Sequence, residues 1–182
     1  MTARRILLVA AVVLVAAGCH NTGRHWPRHG TQTTVYVEST AARDGRLVYD
    51  AVRWAAGQWS RSSRVELRVV ADAPSGAHVV DVARRDPYDW PGVTPGKRAW
   101  SYVGTGGDRH IDSARVVFRT NEHGFHWSTV PLTERRYLAV HELGHALGLG
   151  HQGDMPGSRA TGAPTGHDFS AVWHAYDHRD PT

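Results

Sequence analysis

Apolar positions follow a helical period in three stretches of the chain and gather in runs of β-branched residues in five others. In the first helical stretch Val48, Val52, Ala55 and Trp59 recur at i, i+4, i+7 and i+11, while Arg46, Asp50, Arg53 and Gln58 fall largely elsewhere. That is the stripe of a helix buried along one side. Asp44 is placed to cap it, and the pattern predicts a helix running to about Ser60. The second helical stretch opens at Thr133, a candidate cap with Glu134 in the first turn, and puts Val140, Leu143 and Leu147 on its apolar side. The third opens at Thr165 and carries Phe169, Val172, Trp173 and Tyr176 at i, i+3, i+4 and i+7, a spacing that predicts core residues. Strands are predicted over Thr33–Glu38, Val65–Val70, Ala77–Ala83, Arg98–Val103 and Ala114–Thr120. Asp86–Gly96 is dense in Pro, Gly and aromatic residues and predicts a long ordered loop.

The pattern is different at the N-terminal end. Arg4 and Arg5 precede an apolar run from Ile6 to Ala17 that is too short to span a bilayer as a mature helix. It leads into A-A-G-C, where Cys19 is the sole cysteine. This resembles a bacterial lipobox. The expectation is a lipoprotein signal peptide over 1–18, lipidation of Cys19, a tether over 19–30 and a single folded domain over 31–182. The protein is then exported and anchored to the bacterial cell membrane, facing outside the cytoplasm. With its one cysteine lipidated, it forms no intramolecular disulfide. The formal charge of +4 is spread without a basic run, so nucleic acid is not expected as a partner.

The chemistry concentrates between His141 and His151, in H-E-L-G-H-A-L-G-L-G-H. Residues four apart on a helix project from one face a turn apart, so His141 and His145 can meet one ion. Glu142 then leans beside that ion without needing to bind it, where a general base for an activated water belongs. Gly148 ends the helix in a conformation open to positive φ, Gly150 keeps the turn compact, and His151 comes back as a third ligand. Three nitrogens and an open position describe a catalytic Zn2+ site rather than a structural one. A class that takes its third ligand from a later glutamate is excluded, because no glutamate follows Glu142.

His141, Glu142, His145, Gly148 and His151 match the extended motif of the metzincin zinc proteases. The run A-V-R-W-A-A-G-Q-W-S, followed by a strand and by A-H-V-V-D-V, resembles the N-terminal half of the matrixin group. The resemblance implies an α+β fold: a metzincin-like twisted mixed sheet of five strands, mostly parallel, with two long helices and a C-terminal helix. It implies an edge strand over a cleft, here near Tyr102, that aligns a peptide by strand addition. It also implies a methionine turn beneath the metal, for which Met155 is the sole candidate, unusually close after His151. The tyrosine that serves some relatives as a switchable ligand has no counterpart at Gly157, and a prodomain cysteine is missing.

The activity implied is zinc-dependent endopeptidase action on a peptide or protein substrate by a monomer, with Glu142 passing a proton from water to the departing amine. A different class, a zinc-containing lipoprotein that binds peptides or scaffolds without turnover, has no use for a base at Glu142. The matrixin loops that can carry structural zinc or calcium correspond to a region holding Asp86, Asp89, Asp108, His110 and Asp112. Their sparse spacing fits no defined Ca2+ loop, so one catalytic Zn2+ and no further Ca2+ or Zn2+ is expected. His78, His123, His126, His167 and His174 are assigned no role.

Overall fold

The computed structural model describes residues 24–27, 32–39, 45–86, 97–105, 110–151 and 156–177. Five strands, β1 (Thr33–Ser39), β2 (Val65–Val70), β3 (His78–Arg85), β4 (Ala99–Thr105) and β5 (Ile111–Arg119), form one sheet in the order β2-β1-β3-β5-β4. All neighbours run parallel except β4, which is antiparallel to β5 and ends the sheet. This is the α+β, mixed and mostly parallel, metzincin-like architecture that the resemblance implied. β2 keeps its expected bounds and the other strands' ends move by up to three residues, as element ends commonly do.

The core lies between the sheet and two helices. Val35 and Val37 of β1, Val80 and Val82 of β3, and Val116 and Phe118 of β5 alternate inward and are buried. Helix α1 (Arg46–Trp59) covers them with Val48, Val52, Ala55 and Trp59, the stripe read from the sequence. Its N-cap is Gly45 with no side-chain cap; Asp44 lies outside the described residues.

Helix α2 (Leu132–Ala146) packs beside α1, and Val140 and Leu143 enter the core with Leu147 just beyond the helix. The indole N–H of Trp59 donates to the Val140 carbonyl at 3.0 Å and ties the two helices together. Gly144 permits the approach, since a Cβ there would press on the Trp59 ring and on Pro156. The cap expected at Thr133 is corrected: the N-cap is Pro131 and no side chain caps the helix. Proline's preset φ starts the turn, and Arg135 N–H reaches the Pro131 carbonyl at 3.0 Å, which leaves Thr133 inside the first turn. Glu134 is in that turn as expected and pairs with Arg98.

The last helix, α3 (Gly166–Ala175), opens with a full capping box between Thr165 and Asp168. Ala171, Val172, Ala175 and the following Tyr176 face inward. Trp173 does not belong to the core. It is 40% exposed, under the Arg64 guanidinium at 5.1 Å, because so short a helix buries a stripe narrower than its aromatic spacing suggests.

Of the expected tether, Arg24–Pro27 are described, and there Trp26 is 1% exposed and His25 7%. His25 bridges to His110, and its carbonyl accepts from Ile111 N–H at 2.7 Å. Among the described residues no helix is long and apolar enough to cross a membrane.

Candidate metal centre

The end of α2 and the turn after it bring three imidazoles to one point. The Nε2 atoms of His141 and His145 are 3.1 Å apart, those of His145 and His151 2.7 Å, and those of His151 and His141 3.2 Å. Four tetrahedral ligands at ~2.0–2.1 Å from one zinc stand ~3.3 Å apart, so the triangle has the size of a metal cage.

The proton inventory points the same way. His141 Nδ1 lies 3.2 Å from the Pro156 carbonyl, and His145 Nδ1 lies 2.7 Å from the Leu149 carbonyl. A carbonyl only accepts, so both Nδ1 atoms carry the proton and both Nε2 atoms present lone pairs. Burial, reinforced by the neighbouring His145, holds His141 down to about 4. Burial also lowers His145. Neutral rings result, with lone pairs facing one another at hydrogen-bond range. Such an arrangement is repulsive unless a cation lies between them, and backbone carbonyls behind ligand rings are the usual outer support of a metal site. The three histidines fit a metal ion of the zinc type, and their ligand atoms are close enough to hold one.

The turn that returns His151 depends on Gly148. Its φ is +91°, and a Cβ at that position would fall on the carbonyl oxygen of Arg24. Positive φ alone favours glycine; the close passage of Arg24 requires it. Behind this turn, the carbonyls that α2 leaves at its C-terminal end are taken up by distant residues. Trp26 Nε1–H donates to the Ala146 carbonyl at 2.9 Å. The Tyr176 hydroxyl donates to the Leu147 carbonyl at 3.3 Å and accepts from Trp26 N–H at 3.2 Å. Burial pushes the Tyr176 phenol well above its ordinary pKa, so it stays protonated and able to donate.

Glu142, next to His141, is buried on the same cleft. Burial lifts its carboxyl to about 7, against a hydrogen bond with Ser101 and the nearby Lys97 ammonium, both of which favour the carboxylate. The cleft has a volume of about 380 Å³ and runs along β4, with Trp100, Ser101 and Val103 on one wall and the turn Gly148–His151 on the other. Arg24 and Lys97 also line it. Tyr102, expected near the substrate strand, lies on this terminal strand and is 40% exposed.

Several expected features fall elsewhere. Cys19 and Met155 lie outside the described residues, as do Asp89 and Asp108. Asp86 does not meet His110 or Asp112; its close neighbours are Glu122 and His123, whose ligand atoms lie within 4.8 Å of one another and of Asp86. His123 Nε2 pairs with the Asp86 carboxylate at 3.0 Å. Sequence reasoning missed Ser101, Lys97 and Arg24 as cleft residues. The one signal for the Arg24 region was a tryptophan, Trp26, in a stretch otherwise polar enough for a linker.

No family model matches the chain. Among curated proteins it is similar to matrilysin of Rattus norvegicus, 30% identical over 132 residues that make up 69% of this chain and 46% of the rat protein. It is 29% identical to matrilysin of Mus musculus over 136 residues, 71% of this chain and 48% of the mouse protein. The chain spans about half the length of these relatives. Similarity to matrilysin over some 70% of the chain, the five-stranded sheet and the converging histidines lead to one conclusion: the chain is matrixin-like, with a metzincin-like fold.

Proposed function

We propose that this protein is a zinc-dependent endopeptidase. The observation that carries the reading is the triangle of Nε2 atoms of His141, His145 and His151 with the Glu142 carboxyl beside it in an open cleft. His141, His145 and His151 would hold a zinc ion, which would supply Lewis-acid chemistry to the scissile carbonyl and a water. The remaining work falls to the chain. Glu142 takes the proton of the attacking water and delivers it to the departing amine. A carboxyl lifted by burial towards neutrality suits that exchange, since it neither holds nor refuses the proton strongly. Ser101 fixes the carboxylate's orientation from β4. The outer edge of β4 offers backbone groups to an extended peptide, and Tyr102 borders that edge. Cys19, following A-A-G, anchors the domain by a lipid outside the cytoplasm.

The decisive comparison is cleavage of an unstructured protein such as casein by wild type and by Glu142→Ala, each verified to hold zinc. The variant keeps its metal, because the carboxylate is not a ligand, and loses ~10²–10⁴-fold in rate. Equal rates would overturn the assignment. Peptide binding without any cleavage by zinc-loaded wild type would favour the non-catalytic binding module instead.

A further inference from the structure

The proposal concerns the charge lining the cleft, and it rests on the endopeptidase reading. Among the described residues of the cleft the only carboxyl is Glu142, which is occupied by Ser101 and reserved for proton transfer. The cationic side chains are two, Arg24 and Lys97. They come from opposite walls. Lys97 lies two residues before β4, the strand along which an extended peptide would lie, and Arg24 passes against Gly148 at the turn that carries His151. Lys97 is not remote: its charge is felt at His141, Glu142 and His145.

We propose that Lys97, with Arg24 across the cleft, sets substrate specificity by selecting peptides that carry an acidic side chain close to the scissile bond. Both cations line the cleft that would hold a substrate backbone, and a residue advances an extended chain by only ~3.3–3.6 Å. An Asp or Glu within about three residues of the cut therefore comes within range of one or the other. A Lys or Arg there meets like charge on two sides, and no acidic side chain in the described cleft is available to receive it. Trp100, Val103 and Leu149 add apolar lining that can take a neutral side chain. Lys97 is exposed, so the preference is moderate and depends on salt.

The test uses the zinc-loaded protein and a set of peptides in which Glu, Gln or Lys is scanned through three positions on either side of one cleavable bond. At low ionic strength wild type should favour the best Glu peptide over its Lys counterpart by about 5- to 50-fold in kcat/KM, which screening at 0.5 M salt compresses several-fold. Lys97→Glu should invert the order of Glu and Lys peptides, and Arg24→Gln should narrow it. Each variant serves as its own reference through the Gln peptide. A second readout is binding of the same peptides, labelled with a fluorophore, to zinc-loaded Glu142→Ala, where anisotropy should show the same ranking without turnover. Wild type that cleaves Glu, Gln and Lys peptides alike would overturn the inference and leave the endopeptidase reading standing. If no peptide is cleaved, the endopeptidase reading falls and binding decides: a Glu preference removed by Lys97→Glu upholds the acidic selection, and equal binding overturns it.

Discussion

Replacing Trp26 by alanine asks whether the segment ahead of the sheet holds the end of the zinc helix in place. The indole is 1% exposed, and its Nε1–H is the partner of the Ala146 carbonyl at 2.9 Å. Deleting a fully buried aromatic costs ~3–5 kcal/mol through lost burial and the cavity left behind. Within that figure, orphaning one buried carbonyl accounts for ~1 kcal/mol or somewhat more. A domain of this size has ~5–15 kcal/mol in total, so the variant should lose at least about a fifth of its stability. Trp26→Phe separates the two contributions: it keeps most of the volume, drops the donor and should cost ~1–2 kcal/mol. The assay is urea unfolding followed by far-UV circular dichroism, which avoids confusion among the seven tryptophans. It should be run with zinc and with chelator, because the loosened turn also carries the Leu149 carbonyl behind His145. The variant should therefore lose zinc affinity as well as stability. A Trp26→Ala protein within ~0.5 kcal/mol of wild type would refute the packing of Arg24–Pro27 against α2.

Three further outcomes follow from the same geometry. His145→Ala should leave the purified protein without its zinc, by metal analysis, since His145 faces both other imidazoles; a variant that retains one zinc per chain would place the metal elsewhere. Gly148→Ala should cost at least ~2 kcal/mol in urea unfolding, because the positive φ alone accounts for ~1–2 kcal/mol and the new methyl strikes the Arg24 carbonyl; an unperturbed midpoint would contradict that close passage. In chelated protein the acid response should change with Glu142→Gln. His141, held down to about 4, binds its proton mainly in the unfolded state between pH ~4 and ~6.5, so its contribution makes stability rise with pH there. Glu142, lifted to about 7, binds its proton mainly in the folded state between pH ~4.5 and ~7, so its contribution makes stability fall with pH. The two oppose each other, and removing the Glu142 contribution should steepen the rise between pH ~4.5 and ~6.5 by up to ~1.4 kcal/mol per pH unit. Identical pH profiles for chelated wild type and Glu142→Gln would count against that balance.

The elements were legible wherever a side-chain pattern repeats with the period of its backbone. Val48, Val52, Ala55 and Trp59 announce α1 because a helix must bury a stripe, and the valine-rich runs announce strands because a sheet covered on a face selects β-branched residues. Helix starts were legible only where a side chain caps. Thr165 does, and was found; at Leu132 proline geometry takes the place of a cap, so Thr133 misled. The histidine triangle could be read because its spacing is local and its turn needs Gly148. Ser101, Lys97 and Arg24 could not be read, since what makes them cleft residues is the pairing of β4 beside α2 and the return of residue 24 across the sheet. Nothing within the neighbourhood of each in the sequence encodes that meeting.

The Trp26–Tyr176 contact has a consequence for the order of assembly. The two residues are 150 positions apart, and Tyr176 reaches back 29 positions to Leu147. Local contacts within α2 can form in microseconds, but closing so wide a loop comes late. On a ribosome adding ~5–20 residues per second, the histidine helix emerges well before the tyrosine that completes its end. During that interval the Leu147 carbonyl has water rather than the Tyr176 hydroxyl as its partner, while Trp26, already made, can reach Ala146. The candidate metal cage is therefore finished by the last helix of the domain, and a chain truncated before Tyr176 would offer a metal only a frayed support.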